Sequence, residues 1–323
     1  MAGGDDWVYY AYNPSYALAI ATSAVFGVVF LAHLFLMIRH KAWYMWPFTV
    51  GVAGECVGYA LRRMSAQHPR GRSQGLIWYI TQELFIILAP ACMAASHYMC
   101  FGRLISYVGE KYSPVRARRV TAIFVFFDVT SFCIQGAGGS LYSSSNRNIF
   151  PTAKAILTVG FLIQIISFGI FAIFAILYQV RARRAGEVEG KWTVCLYTLY
   201  LGESFIDILL NVKCHNSHTA RLFPHIAGTV LILIRGIYRT ISFATGTGNG
   251  NGYLLSREAW YYGLETIPIL LCALLFLASY PARYIPSDRS LRLHPEEITE
   301  TTTDEEKSAG EDPRRRRWYG LKR

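Results

Sequence analysis

Glu55, Tyr59 and Arg62 recur at intervals of four and three residues, which places a carboxylate, a phenol and a guanidinium on one face of a helix. Asp128 and Gln135 stand seven apart and share a face in the same way; Arg235 and Arg239 are four apart. Gln82 with Glu83, Gln164, Glu258 and Glu265 add further polar groups. Two chemistries suit such a set. Acids such as Glu55 and Asp128 can exchange protons as general acid and base. Arginines can hold the phosphate or carboxylate head of an amphipathic molecule.

The elements that must position these groups are unusually apolar. Of 323 residues, 53% are hydrophobic and 16% charged, too little polar surface to coat one soluble core of this size. Apolar blocks long enough to cross a bilayer, about 20 helical residues each, occur at 17–38, 43–61, 76–102, 119–142, 154–180 and 259–281, with a broken one between 192 and 243. The spacing predicts an all-α polytopic membrane protein, a bundle of seven transmembrane helices. Alternating ten-residue patterns of the kind a transmembrane β-barrel needs do not occur. The first block is too long for a signal-peptide core and is followed by Arg39, His40 and Lys41, as in an uncleaved anchor.

The net charge of +11 is sorted by side rather than gathered into a nucleic-acid surface. Seven crossings place 20 basic residues on one side, among them Arg39, Lys111, Arg181 and Arg314, against seven on the other, Arg62, Arg63, Arg70 and Arg72 included. The bias predicts an external N-terminus and a cytosolic C-terminus. Residues 1–16 then form an extracellular segment, 17–284 the transmembrane domain, and 285–323 a disordered tail that mixes an acidic run with Arg314–Arg317.

An ionisable side chain in the middle of a bilayer costs about 2.5–3.5 kcal/mol on insertion scales, so each needs a partner or water. The simplest arrangement turns the polar faces inward to line a cavity, with Glu55, Asp128 or Glu265 offsetting Arg235 and Arg239. Interhelical hydrogen bonds that only join helices are the competing reading. Pro90 should kink the third span, and Gly138 and Gly139 near the end of the fourth allow close packing or a hinge. The seven cysteines lie mostly in apolar spans with no C-x-x-C pair, and His33 and His97 lack a second ligand at helical spacing. No metal, no cofactor and no nucleotide motor is expected: Gly246 to Gly252 lacks the Lys-Ser/Thr of a P-loop.

The sixth block is interrupted. Trp192–Gly202 is apolar, Glu203–Gly228 is rich in charge and histidine, and Thr229 resumes an apolar run. Removing 203–228 would join TVCLYTLYLG to TVLILIRGIYR in one uninterrupted span, and codons for Gly202-Glu203-Ser204 and Ala227-Gly228 can hold splice donor and acceptor sequences in frame. The segment reads as a translated, retained intron or as a loop lying at the membrane surface.

Together the polar residues resemble a fungal family of seven-span proteins, the RTA-like or lipid-translocating exporter family. The matching pieces are Tyr12-Asn-Pro-Ser15, Glu55-x-x-Gly58-Tyr59 with Arg62, Gln82 with Ala89-Pro90, Ala94-Ala95-Ser96-x-Tyr98, Arg103, Asp128-x-x-Ser131-x-x-x-Gln135-x-x-Gly138-Gly139, Gln164, Arg235-x-x-Tyr238-Arg239 and Glu258. Ser242 stands where the family shows an acid, Glu265 where it shows Asp, and Pro281-Ala282 departs from its closing His-Pro-Gly.

The resemblance implies a plasma-membrane or endomembrane protein that moves sphingoid bases, sterol-like toxicants or porphyrins without an ATPase module. It also adds Tyr98 to the expected cavity lining. The expected partners are membrane lipids and an amphipathic small molecule. A seven-span lipid sensor and an intramembrane enzyme using Glu55 and Asp128 are the alternatives.

Overall fold

The computed structural model describes residues 10, 12–67, 74–113, 115–142, 147–184, 227–245, 257–278 and 280–283. The first half of the broken sixth block, residues 203–226 of the suspected insertion and the tail 285–323 lie outside the described residues.

Six long helices are α1 (Tyr16–Arg39), α2 (Trp46–Gln67), α3 (Gln74–Val108), α4 (Ala117–Tyr142), α5 (Phe150–Arg184) and α6 (Ala227–Thr245). A turn of α-helix Glu258–Tyr261, a π-helical turn Tyr262–Thr266 and an α-helix Ile267–Ala278 follow one another without a break and together form α7. Pro268, which has no N–H to return to the carbonyl four residues back, that of Leu264 within the wide turn, lies two residues past its end.

Local sequence explains several boundaries. Ser15 caps α1 by accepting from the Leu18 N–H, and the chain turns at Lys41 with φ 51°. Pro47 and Pro151 each sit in the first turn of a helix, where a missing N–H leaves no bond unmade. Helices α2 and α3 extend several residues past the expected spans of 43–61 and 76–102, because polar residues such as Arg62 and Ser65 are buried against neighbouring helices and do not end the helix.

Each helix packs on the next in chain order, and α7 closes the ring against α1. Among the five helices long and apolar enough to cross a bilayer, α1, α3, α4, α5 and α7, the third is the most buried. It also reaches α5, and a side chain of α6 bonds to it, so it stands at the centre of the bundle. Close approach of α2 to α3 depends on glycine: a Cβ at Gly51 would lie 2.6 Å from the Ala89 carbonyl oxygen, and one at Gly58 would lie 2.7 Å from Ile86.

The bundle is inverted relative to a soluble protein. Leu18, Val28, Leu31, Phe35, Phe126, Val129, Ile166, Ile170 and Ile173 are exposed, whereas Glu55, Arg62, Gln82, Asp128, Gln135, Arg235, Arg239 and Glu265 are buried. Water would penalise that arrangement and hydrocarbon favours it.

Candidate functional site

Glu265 lies on the π-helical turn of α7 and is 1% exposed. Its Oε1 accepts from Arg235 Nε and Arg239 Nε at 2.9 Å each, and Arg235 Nη2 lies 2.9 Å from the same oxygen. Arg239 Nη1 also donates to Glu83 Oε2 at 2.6 Å. The two arginines are four residues apart on α6, so one carboxylate can hold both. Glu55 sits in the electrostatic field of Arg235, Glu265, Arg239 and Glu83. Of the three acids considered as counter-charges, Glu265 makes the direct pairs, and Glu83 supplies the second acid for Arg239 that Ser242 does not.

Pro90 joins this cluster to the third helix. Proline has no N–H, so the carbonyl four residues earlier, that of Ile86, is left without its helical donor. Arg235 Nη2 donates to that oxygen at 2.8 Å. A helix-breaking residue in a membrane span is tolerated when a neighbouring helix satisfies the freed group, and here a buried cation does so. Pro90 is thereby tied to a buried ion cluster.

On the other side of Arg235 lies a cavity of about 20 Å³, lined by Pro90, Asp128, Gln164, Phe168, Ile232 and Arg235 among others. That volume holds a water molecule. Among the described residues no cation pairs with Asp128, and the Tyr98 hydroxyl faces its carboxylate. Next to it, Gln135 Nε2 donates to Ser131 Oγ (2.8 Å) and to Gln164 Oε1 (3.1 Å), and Ser131 Oγ donates to the Gly160 carbonyl. These bonds join α4 to α5. A Cβ at Gly160 would meet Gln135 at 2.7 Å, and one at Gly138 would meet Leu157 at 2.8 Å; nothing lies within 4 Å of a Cβ at Gly139. Gly138 is therefore a packing residue in an unbroken helix.

A third group closes the end of the bundle where α2 finishes and α7 starts. The Arg62 guanidinium carbon lies over Tyr261 at 4.2 Å, with Tyr10, Tyr262 and Tyr12 at 5.2, 5.8 and 5.9 Å. Arg62 Nη2 donates to the Tyr12 hydroxyl and lies 4.0 Å from Glu258. Gln82 Nε2 donates to Tyr10 Oη, which itself donates to Ser65, while the Ser15 N–H donates to Glu258. Burial raises the Tyr10 and Tyr12 phenols above their ordinary value, opposed by the Arg62 charge, so both stay neutral hydroxyls at physiological pH. Tyr59 meets Thr266 through their hydroxyls and so ties α2 to the π-helical turn.

The expected site residues thus fall into three linked groups. Glu55, Arg235, Arg239 and Glu265 come together; Tyr98, Asp128, Gln135 and Gln164 surround or adjoin the cavity; Tyr59, Arg62, Gln82 and Glu258 gather toward the end. Glu55 and Asp128 do not share partners. From Gln82 to Tyr98 the polar groups follow α3 for about 24 Å, at ~1.5 Å per residue, against a hydrocarbon core of about 30 Å. Sequence reasoning placed Glu83 among the intramembrane polar groups and Tyr12 in a matching motif without assigning either to the cavity lining, and did not single out Thr266, Tyr10 or Tyr261. Glu83 gave a usable signal, an acid beside Gln82 in an apolar span, and Tyr12 gave one in Tyr12-Asn-Pro-Ser15; Tyr10 and Tyr261 gave none. His33 and His97 pack among Phe48 and Phe276, with His33 Nε2 at 3.0 Å from the Ala273 carbonyl.

A helical bundle with an apolar exterior and a buried polar seam defines an all-α polytopic membrane protein. Its sequence places it further. The chain belongs to the RTA1-like family, whose model (RTA1 like protein) matches residues 48–288.

Protoporphyrin uptake protein 1 of Saccharomyces cerevisiae is 32% identical over 235 residues, 71% of this chain and 66% of that protein. Protein RTM1 of Saccharomyces cerevisiae is 30% identical over 236 residues, 72% of this chain and 65% of that one. A probable lipid transporter of Emericella nidulans, atnI, is 24% identical over 279 residues, 85% of this chain and 67% of that one. The match thus spans just under two thirds of the length of the first two relatives. No solved structure matches.

Proposed function

We propose that this protein moves amphipathic lipids or lipid-like toxicants across the bilayer, the polar head passing along the seam between Arg62 and Asp128 while the apolar tail stays in lipid. The observation that carries the reading is a polar column running most of the hydrocarbon thickness inside a bundle whose outside is apolar. Membership of a family with members named for porphyrin uptake and for lipid transport supports it. In this reading the N-terminus is external, the basic tail is cytosolic and the protein resides in the plasma membrane. In this reading the arrangement is a closed form: Arg62, Arg235 and Arg239 each have a carboxylate partner, so passage of a head group requires exchange of those partners. Anionic heads would compete with Glu265 and Glu83 for the arginines.

Purified protein reconstituted in phosphatidylcholine vesicles should speed the movement of a fluorescent long-chain base or lysolipid between leaflets relative to empty vesicles. Arg235→Ala, checked for helicity and monodispersity, should abolish the acceleration. Equal rates in protein-containing and empty vesicles would reject the proposal.

A further inference from the structure

The seam contains more acids than its arginines use. Arg62 pairs with Glu258, Arg235 with Glu265, and Arg239 with Glu265 and Glu83. Three cations therefore meet three carboxylates, and Glu55 and Asp128 remain. Glu55 lies among the arginines and in their field. Asp128 has no such company: among the described residues no cation pairs with it, the Tyr98 hydroxyl that faces it is neutral, and the residue is 5% exposed.

The groups that face Asp128 from the packed helices are Tyr98 on α3, Gln164 on α5 and Arg235 on α6. Arg235 directs Nε and Nη2 to Glu265 and the Ile86 carbonyl instead. An unpaired carboxylate in such a place is expensive, and something must neutralise it. A dehydrated metal cation needs several oxygens, whereas among the described residues Asp128 and Gln164 supply the only side-chain oxygens on this cavity; the rest of its described wall is Pro90, Ala94, Ile165, Phe168, Ile232, Leu233, Gly236 and Arg235. A proton needs one oxygen.

We propose that Asp128 is a proton-exchange site, with the cavity beside it as the route by which the proton comes and goes. On release the O–H bond breaks, its electron pair stays on the carboxylate oxygen, and the proton passes to water in the cavity. The freed carboxylate then becomes an alternative partner for Arg235, whose contact with Ile86 is a single hydrogen bond. Protonation of Asp128 in this way biases the partner exchange that passage of a head group requires. The use of the site in transport rests on the transport reading; its existence does not.

The test uses the full chain in phosphatidylcholine vesicles. Infrared difference spectra between pH steps should show the carbonyl stretch of a protonated carboxyl, with one component missing in Asp128→Asn and retained in Glu55→Gln. Unchanged spectra in Asp128→Asn would overturn the proposal. Under an imposed pH gradient, leaflet-to-leaflet movement of a fluorescent long-chain base should change several-fold in the unaltered protein and stay at its no-gradient rate in Asp128→Asn. An equal response in both would overturn the coupling. Movement absent from the unaltered protein, with the Asp128 component present, would leave the proton site standing and remove the transport reading alone.

Discussion

Two regions on either side of Arg235 handle buried charge in opposite ways. Around Glu265 one carboxylate oxygen is shared by two arginines, and a second acid and a backbone carbonyl take up further donors. Around Asp128 a carboxylate of similar burial faces a small cavity and the Tyr98 hydroxyl, with no cation paired to it among the described residues. Paired charges fix helix positions, since each partner holds the other in place. A charge left without an opposite charge is where a bundle can still bind something. The ion cluster therefore acts as the clamp joining α3, α6 and α7, and the Asp128 side is where exchange takes place.

Removing the shared acid should break the clamp most severely. Glu265→Gln leaves two buried arginines with Glu83 as their one direct acidic partner, and loss of one side of a buried pair costs about 3–5 kcal/mol. Thermal unfolding of the purified protein in detergent should show a large drop in Tm. Arg235→Lys keeps the charge but cannot reach Glu265 and the Ile86 carbonyl with the same geometry, so a loss of about 1.5–3 kcal/mol is expected in the same assay.

Pro90→Ala is subtler. It returns an N–H to the Ile86 carbonyl, which then has a donor within its own helix and competes with Arg235. Stability should change by no more than about 1 kcal/mol, while the rate of lipid movement shifts because Arg235 is freed toward the cavity. An unchanged rate would show that the Pro90 to Arg235 link has no part in exchange.

Much of this contrast is legible in the sequence. Helical spacing puts Glu55 with Arg62 and Arg235 with Arg239 on inward faces, and an excess of acids over arginines can be counted without coordinates. What spacing cannot supply is which helices meet at which height. Glu265 rather than Asp128 pairs with the arginines because α7 packs directly on α6 and its π-helical turn lies at their level, and nothing local to either segment encodes that. The Pro90 contact was hidden for the same reason: the proline announces a free carbonyl, but only the crossing of α6 against α3 names its donor. Tyr10 and Tyr12 read as part of an outer tail, yet they fold over Arg62 because a buried guanidinium ringed by aromatic faces needs oxygen acceptors as well.

The contrast is tested most directly by measuring Tm and lipid movement on Glu265→Gln and Asp128→Asn side by side. Asp128→Asn is nearly isosteric, breaks no ion pair and keeps an oxygen that can accept from Tyr98, so its Tm should stay close to that of the unaltered protein while its response to a pH gradient disappears; Glu265→Gln should lose stability outright. If Asp128→Asn is as unstable as Glu265→Gln, both acids serve the clamp and the division between the two regions is wrong.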